Sequence, residues 1–221
     1  RAFTTSPVCS TSRSAMITGR HQSSIGAHQH RTRPRNPLRD GVETLPRLLR
    51  NAGWYCALGC GYSAKTDFNF KTGPGLFDGK DWSGRAEGQP FFAQVTIGNT
   101  HRSWKGDPQN PVDPAKVEIP PYYPDEPLVR ADWARGLGEI QVMDRKVGKI
   151  LERLDQEGLA DDTVVVFIGD NGRCHPRGKQ FLYDGGVHVP LIIRWPGTIG
   201  PATVRAELAS TIDITATILE I

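Results

Sequence analysis

The feature that most restricts the fold is the unbroken run Thr163-Val164-Val165-Val166-Phe167-Ile168, which is closed by Gly169-Asp170-Asn171-Gly172. β-branched residues without polar alternation suit a strand buried on both faces, the pattern of a parallel sheet covered by helices. The segment before it, from about Val129 to Glu157, carries Trp133, Leu137, Ile140, Val147, Leu151 and Leu154 at helical spacing and stops at Gly158. That spacing predicts a long helix with those residues in the core. Upstream, Thr44 to Ala52 predicts a helix with Thr44 as cap, Pro46 in its first turn and Gly53 as its stop. Strands are expected at Tyr55 to Leu58, Phe91 to Ile97 and Pro190 to Arg194, and an extended surface loop over the proline- and acid-rich stretch Asp107 to Pro127, able to rim a pocket. Alternating strands and helices without repeats or linker composition imply one α/β domain.

Two clusters carry chemistry. The first is Cys9-Ser10-Thr11-Ser12-Arg13, continuing to Thr18-Gly19-Arg20. Ser10 to Ile17 reads as a short helix stopped by Thr18-Gly19, which puts Cys9 at or beside the N-cap, where unpaired N–H groups and the helix dipole favour negative charge. Arg13, one turn on, faces the same way. Spacing alone also fits a buried structural cysteine. The second cluster is Asp170-Asn171, beyond the predicted central strand, followed by Lys179. Ligands of open α/β sheets bind beyond the carboxyl ends of strands, and Asp and Asn supply the hard oxygens that calcium or magnesium takes. Taken alone, Asp-Asn-Gly reads more readily as a turn than as a metal site.

Cys-x-x-Ser-Arg with Thr-Gly-Arg after four further residues resembles the signature of the sulfatases, in which the cysteine is converted to Cα-formylglycine and a hydrate of the aldehyde is the nucleophile. Thr11 stands where the usual pattern has proline or alanine. Asp170-Asn171 and Lys179 match the family's metal-binding pair and sulfate-contacting lysine. The run from Lys179 through Gly185-Gly186 and Val189-Pro190-Leu191 to Arg194-Trp195-Pro196-Gly197 follows the family, as does Ile212-Asp213, read as structural. The resemblance implies an alkaline-phosphatase-like α/β/α sandwich with a mostly parallel sheet. It also implies Ca2+ or Mg2+ held by Asp170, Asn171 and the modified Cys9, with Arg13 orienting the hydrate and Lys65, His101 and Lys179 contacting the sulfate. Asp67 stands where the family has a histidine that helps the intermediate collapse, and is expected to take over that proton transfer. Ile25 to His30 and the run to Pro46 resemble the heparan N-sulfatase (sulfamidase) branch most closely, with His28 as a substrate-pocket candidate; His21, His30, His175 and His188 receive no role.

The resemblance implies a hydrolase removing sulfate from a sulfated small molecule or glycan, matured by a formylglycine-generating enzyme. The alternatives are a phosphate or phosphonate monoester hydrolase of the same superfamily and a non-catalytic relative that binds sulfated glycans. With 221 residues, 38% hydrophobic and 23% charged, the chain can bury a sizeable core. A formal charge of +3, with acids interleaved among the bases, gives no nucleic-acid footprint. Cys9, Cys56, Cys60 and Cys174 fit neither a disulfide framework nor a zinc site, and the last three read as packing residues. No apolar run is long enough to span a membrane. Residues 1–221 read as a sulfatase catalytic domain incomplete at both ends, lacking an upstream Asp-Asp metal pair and a smaller C-terminal domain, so the chain by itself is expected to bind metal poorly and to be inactive. Asp161-Asp162, at the wrong end of its strand, is no substitute. The intact protein is expected in a periplasmic, secreted or lysosome-like compartment, and its oligomeric state is open.

Overall fold

The computed structural model describes residues 1–221. Strand β1 (Ala2–Phe3) leads into helix α1 (Cys9–Thr18), which ends on Gly19 in the left-handed conformation, φ +62°. A Cβ at Gly19 would also press on Thr215 at 3.2 Å, so glycine serves both the turn and the packing. Helix α2 (Leu45–Asn51) starts after Thr44 with Pro46 in its first turn, and strand β2 (Tyr55–Leu58) follows with the expected boundaries. Strand β3 (Phe91–Gln94) pairs with it in parallel, Tyr55 opposite Phe91 through Leu58 opposite Gln94. β3 is shorter than expected because its continuation bends to a single antiparallel bridge between Thr96 and Ser63.

Contacts divide the chain into two units. The first comprises Arg1–Thr96, Val165–Arg194 and Ile199–Ile221. Its apolar centre is built from Ile17, Leu45, Leu49, Cys56, Phe68 and Phe70, with the Phe68 and Phe70 rings stacked at 5.3 Å. Cys56 is fully buried, and burial pushes its thiol up to about 12, so it acts as a small apolar side chain. All four cysteines are unbridged.

Strand β4 (Val165–Ile168) is followed by the short helix α4 (Asp184–Val187), strand β5 (His188–Val189) and strand β6 (Leu191–Arg194). Here the structure departs from the reading of β4 as a strand covered on both faces of a parallel sheet. β4 pairs antiparallel with β6, Val165 opposite Arg194 and Ile168 opposite Leu191, and its residues are half-buried. The chain leaves β4, passes through residues 169–190, including α4 and β5, and returns alongside in the opposite direction. Strand β7 (Ala209–Ser210) runs parallel to β1 while β5 runs antiparallel to it, giving the order β5-β1-β7. Parallel and antiparallel ladders are thus mixed. Helix α5 (Asp213–Glu220) closes the first unit; Ile212-Asp213 is structural as expected, with the Asp213 carboxylate accepting the Ser210 amide at 2.8 Å.

The second unit, Ile97–Val164 with Trp195–Thr198, is built on helix α3 (Pro127–Gln156). Its tightly packed face is not the stripe read from the sequence. Leu154 is buried, Trp133, Leu137 and Val147 are half-buried, and Ile140 and Leu151 are exposed at 38% and 37%. Close packing instead centres on Ala134, Gly136, Gly138 and Glu139. A Cβ at Gly138 would stand 2.5 Å from the Asp107 amide nitrogen, so the Gly106-Asp107 backbone lies directly on the helix. Asp107 is buried there and takes both Arg145 terminal nitrogens at 2.8 Å, which anchors the start of the proline-rich loop, while most of the residues after it lie on the surface as expected. No helix is long and apolar enough to cross a membrane.

Candidate active site

The first turn of α1 is buried although it is made of hydroxyl residues. Each hydroxyl has a partner: Thr4 with Ser12 at 2.6 Å, Ser6 with Thr11 at 2.6 Å, and Thr11 to the Val8 carbonyl at 3.0 Å. Thr11, at the position where the family pattern has proline, therefore ties the helix start to the segment leading into it. Cys9 is the first residue of α1 and is 2% exposed.

Two side chains contact the Cys9 sulfur, and a third backs one of them. Lys179 donates to Sγ at 3.0 Å, and Asn171 presents both its Oδ1 and its Nδ2 at 3.8 Å. Asp170 Oδ1 accepts from Asn171 Nδ2 at 2.7 Å. Burial drives the Lys179 ammonium toward losing its proton, but its bond to Cys9 and the neighbouring charges of Cys9, Cys174 and Asp170 outweigh that and raise its pKa. Lys179 sits in a loop folded back on itself: Gly172 N–H donates to the Gly186 carbonyl at 2.9 Å, and a Cβ at Gly172 would meet the Gly185 oxygen at 1.8 Å. At Gly186 a Cβ would fall 2.0 Å from the Phe181 oxygen. The Gln180 amide bonds to the Pro7 carbonyl at 2.9 Å, which clips the loop to the run-in to Cys9.

Arg13 is placed differently from the expectation that it orients the group at Cys9. Its guanidinium is buried and spends its donors on four acceptors: Asp170 Oδ2 at 3.2 Å, the Lys65 carbonyl at 2.6 Å, the Thr66 carbonyl at 2.9 Å and Thr96 Oγ1 at 2.6 Å. One side chain of α1 thereby joins the end of β4, the Lys65 loop and the residue beyond β3. Arg13 holds Asp170 in place, and Thr96, which no sequence motif marked, completes the hub.

Asp67 also departs from expectation. It lies at φ +53°, its side chain is 8% exposed, and both oxygens are taken by Arg31 at 3.0 and 2.9 Å, with Lys65 Nζ at 3.5 Å. Burial alone would raise its pKa, but the hydrogen bond to Arg31 and the charges of Lys65, Arg31 and His30 more than offset it and hold the carboxyl below its ordinary range. A carboxylate kept ionised between two cations has no proton to give near neutrality and little affinity for one. The geometry suits positioning of Lys65 in place of proton transfer. Asp67→Asn is expected to lower kcat/KM about tenfold, as expected for loss of one charged positioning contact, with the pH profile unchanged in shape. Disappearance of one limb of that profile would instead restore a proton-transfer role.

Of the residues expected at the site, the first unit brings together Cys9, Arg13, Lys65, Asp67, Asp170, Asn171 and Lys179. His101 belongs to the second unit, where its Nδ1 contacts the Arg102 carbonyl at 2.6 Å and the ring is exposed. The same loop is fixed by Glu139, which accepts Asn99 Nδ2 and the Lys105 amide, each at 2.8 Å. Two residues near Cys9 that the sequence reading left without a role are His30 and Arg31: His30 Nδ1 is 2.8 Å from Ser10 Oγ, and Arg31 holds Asp67. His28 is exposed.

The sulfatase family model matches residues 76–221. The chain belongs to the sulfatase family. Over 99% of its length it is 32% identical to an ulvan-active sulfatase of Formosa agariphila, covering 45% of that protein. It is 29% identical to human N-sulphoglucosamine sulphohydrolase, again over 99% of the chain and 52% of that protein. This sulfatase chain thus spans about half the length of the curated relatives it matches. A solved structure from the glycosaminoglycan metabolism of Bacteroides thetaiotaomicron superposes with a TM-score of 0.74, at 21% identity, over 99% of this chain and 61% of that one. The fold is therefore the alkaline-phosphatase-like α/β architecture of sulfatases, as the sequence resemblance implied.

No group of three or more His, Cys, Asp and Glu side chains comes together to hold a metal. The donors beside Cys9 nevertheless fit a hard divalent cation in kind. Asp170 and Asn171 offer oxygens side by side, and the Asp170 carboxylate is oriented by Arg13. Calcium takes six to eight oxygens, so this pair is part of a coordination shell.

Proposed function

We propose that the protein is a sulfatase that removes sulfate, from oxygen or nitrogen, from a sulfated sugar. The observation that carries this reading is the 3.0 Å contact of Lys179 Nζ with Cys9 Sγ at the start of α1, beside Asp170 and Asn171. The names of the relatives support the substrate class: one is active on ulvan, the other is an N-sulphoglucosamine sulphohydrolase.

A sulfate ester carries charge spread over several oxygens, and a site that stabilises its transfer must aim fixed positive groups at them. Lys179 supplies one such charge at Cys9. Lys65, held by Asp67, supplies another. Cys9 is the residue converted to Cα-formylglycine, whose hydroxyl chemistry would provide the nucleophile; its buried position at an uncapped helix start favours negative charge there. Calcium or magnesium at Asp170 and Asn171 would supply further charge toward the sulfate oxygens. Arg13 holds Asp170 in place, while His101 is proposed as a further sulfate contact, from the family resemblance alone.

Two measurements on the mature protein from its own host test this. Mass spectrometry of the Cys9 peptide is expected to show loss of the thiol sulfur and gain of an aldehyde. Sulfate release is expected from N-sulfated or O-sulfated glucosamine, with slower release of phosphate from a phosphate monoester. An intact thiol together with no sulfate release would overturn the reading in favour of a non-catalytic glycan-binding relative.

A further inference from the structure

His30 lies in the turn-rich segment after α1, and its ring is fixed by a buried partner. Ser10 is fully buried, and its hydroxyl oxygen receives the Arg31 amide at 3.2 Å and lies 2.8 Å from His30 Nδ1. That oxygen already accepts a proton from Arg31, and the only group placed to accept the hydroxyl's own proton is Nδ1. If Nδ1 carried a proton, the Ser10 hydroxyl hydrogen would be buried without an acceptor, a state that costs about 1–3 kcal/mol. The pairing therefore fixes the neutral tautomer, with the ring proton on Nε2.

Nε2 has no partner within the chain, and the ring is exposed. The groups whose charges act on the ring are Arg31, Asp67, Lys179 and Lys65. Lys179 bonds to Cys9 and Lys65 pairs with Asp67, so the cations around His30 are those proposed to meet the sulfate. Burial, and then the charges of Arg31, Lys179 and Lys65 against the opposing pull of Asp67, lower its pKa below the ordinary 6.5, in keeping with a neutral ring. Arg31, the next residue, is at φ +54°, a strained conformation held by its amide bond to Ser10 and its side-chain bonds to Asp67. The segment is thus built to hold His30 at this place.

We propose that His30 is a sulfate-binding residue of this site, presenting its Nε2–H to an oxygen of the substrate sulfate while the buried Ser10 hydroxyl fixes its tautomer. This rests on the sulfatase reading above for the identity of the anion. A neutral donor adds directional contact without adding charge, and so complements the two lysines.

The test combines nitrogen NMR of the histidine rings with kinetics on the mature protein. With 15N-labelled histidine, assigned by loss of one signal in His30→Gln, His30 is expected as the Nε2–H tautomer, and its Nε2 signal is expected to move on titration with inorganic sulfate. Ser10→Ala is expected to shift it toward a mixture of tautomers. In turnover, His30→Ala is expected to raise KM about tenfold with kcat within about twofold, as loss of one hydrogen bond to a charged group implies. His30→Gln, whose side-chain N–H can reach the Nε2 position, is expected to restore KM, whereas a purely structural role would leave both variants alike. An Nδ1–H ring, or a signal unmoved by sulfate in a protein that turns over sulfate esters, overturns the proposal even if the variants fail to fold. A moved signal in a protein that releases no sulfate from any ester overturns the enzymatic reading and leaves the binding role standing.

Discussion

Cys9→Ala is expected to reduce sulfate release by about 10⁴-fold or more, the scale of removing a nucleophile that acts as part of a unit, while leaving the fold largely intact. Cys9 packs at the head of a helix whose other partners are hydroxyl pairs and backbone bonds, so loss of Sγ is a small deletion worth about 1 kcal/mol, in the ordinary range for one substitution. The variant has a second signature, at Lys179. In the wild-type chain with an unmodified thiol, burial lowers and the Cys9 bond raises the Lys179 pKa, with the raising effects larger. A raised lysine pKa contributes stability that is fully present below the unfolded value of about 10.4 and is lost as pH rises through the folded value. Cys9→Ala removes the leading raising effect, so its stability is expected to fall less between neutral pH and strongly alkaline pH than that of the thiol form. Sulfate assays with thermal melts at pH 7 and above pH 10 read both effects. Retained turnover would remove Cys9 from the chemistry altogether.

Arg13→Ala is expected to be the most destabilising single change at the site, by about 3 kcal/mol, since it removes a buried guanidinium and leaves the part-exposed Asp170 carboxylate and three further acceptors without that partner. The loss is larger than for a surface pair because the guanidinium side chain is 9% exposed and also satisfies the Lys65 and Thr66 carbonyls and Thr96 Oγ1. Against a typical total of about 5–15 kcal/mol, this is a substantial fraction. Arg13→Lys keeps the charge but cannot reach acceptors spread around a planar fork, and is expected to recover less than half of the loss. Denaturant titrations of wild type, Arg13→Ala, Asp170→Asn and the double variant check the argument. If the double variant is no more stable than the sum of the singles predicts, Arg13 and Asp170 do not act as a pair.

Much of this was legible in the sequence, and the parts that were share a physical basis. α1, α2 and β2 are set by neighbours in the chain: Gly19 stops a helix because of its own conformation, and Pro46 starts one because its ring fixes φ. The joining of Cys9 with Asn171 and Lys179 was legible through the family resemblance, since nothing local links residues so far apart. What escaped the sequence was decided by tertiary contact. The run at Val165 looks the same whether its neighbour is parallel or antiparallel, and only the return path through residues 169–190 decides. On α3, hydrophobic spacing does not mark the packed face, because the close approach at Gly138 depends on having no side chain. Spacing puts Arg13 on the same helix face as Cys9, yet its length carries the guanidinium to Asp170 and Thr96. His30 carries no motif; its standing comes from Ser10, twenty residues earlier.

The doubled-back loop that carries Lys179 has a consequence for how such a protein can diverge. Its turns are set by main chain lying on main chain at Gly172 and Gly186, while Leu182, Tyr183 and Phe181 stand outward at 82%, 51% and 45% exposure. The ammonium is thus located by parts that tolerate no side chain, while the outer rings meet one another and Tyr183 also meets Arg177. Drift at Phe181, Leu182 and Tyr183 can remodel what the rim of the loop accepts without disturbing the charge at its base. Change at these outer positions and constancy of the Lys179 charge can then be inherited separately within a single short stretch of chain.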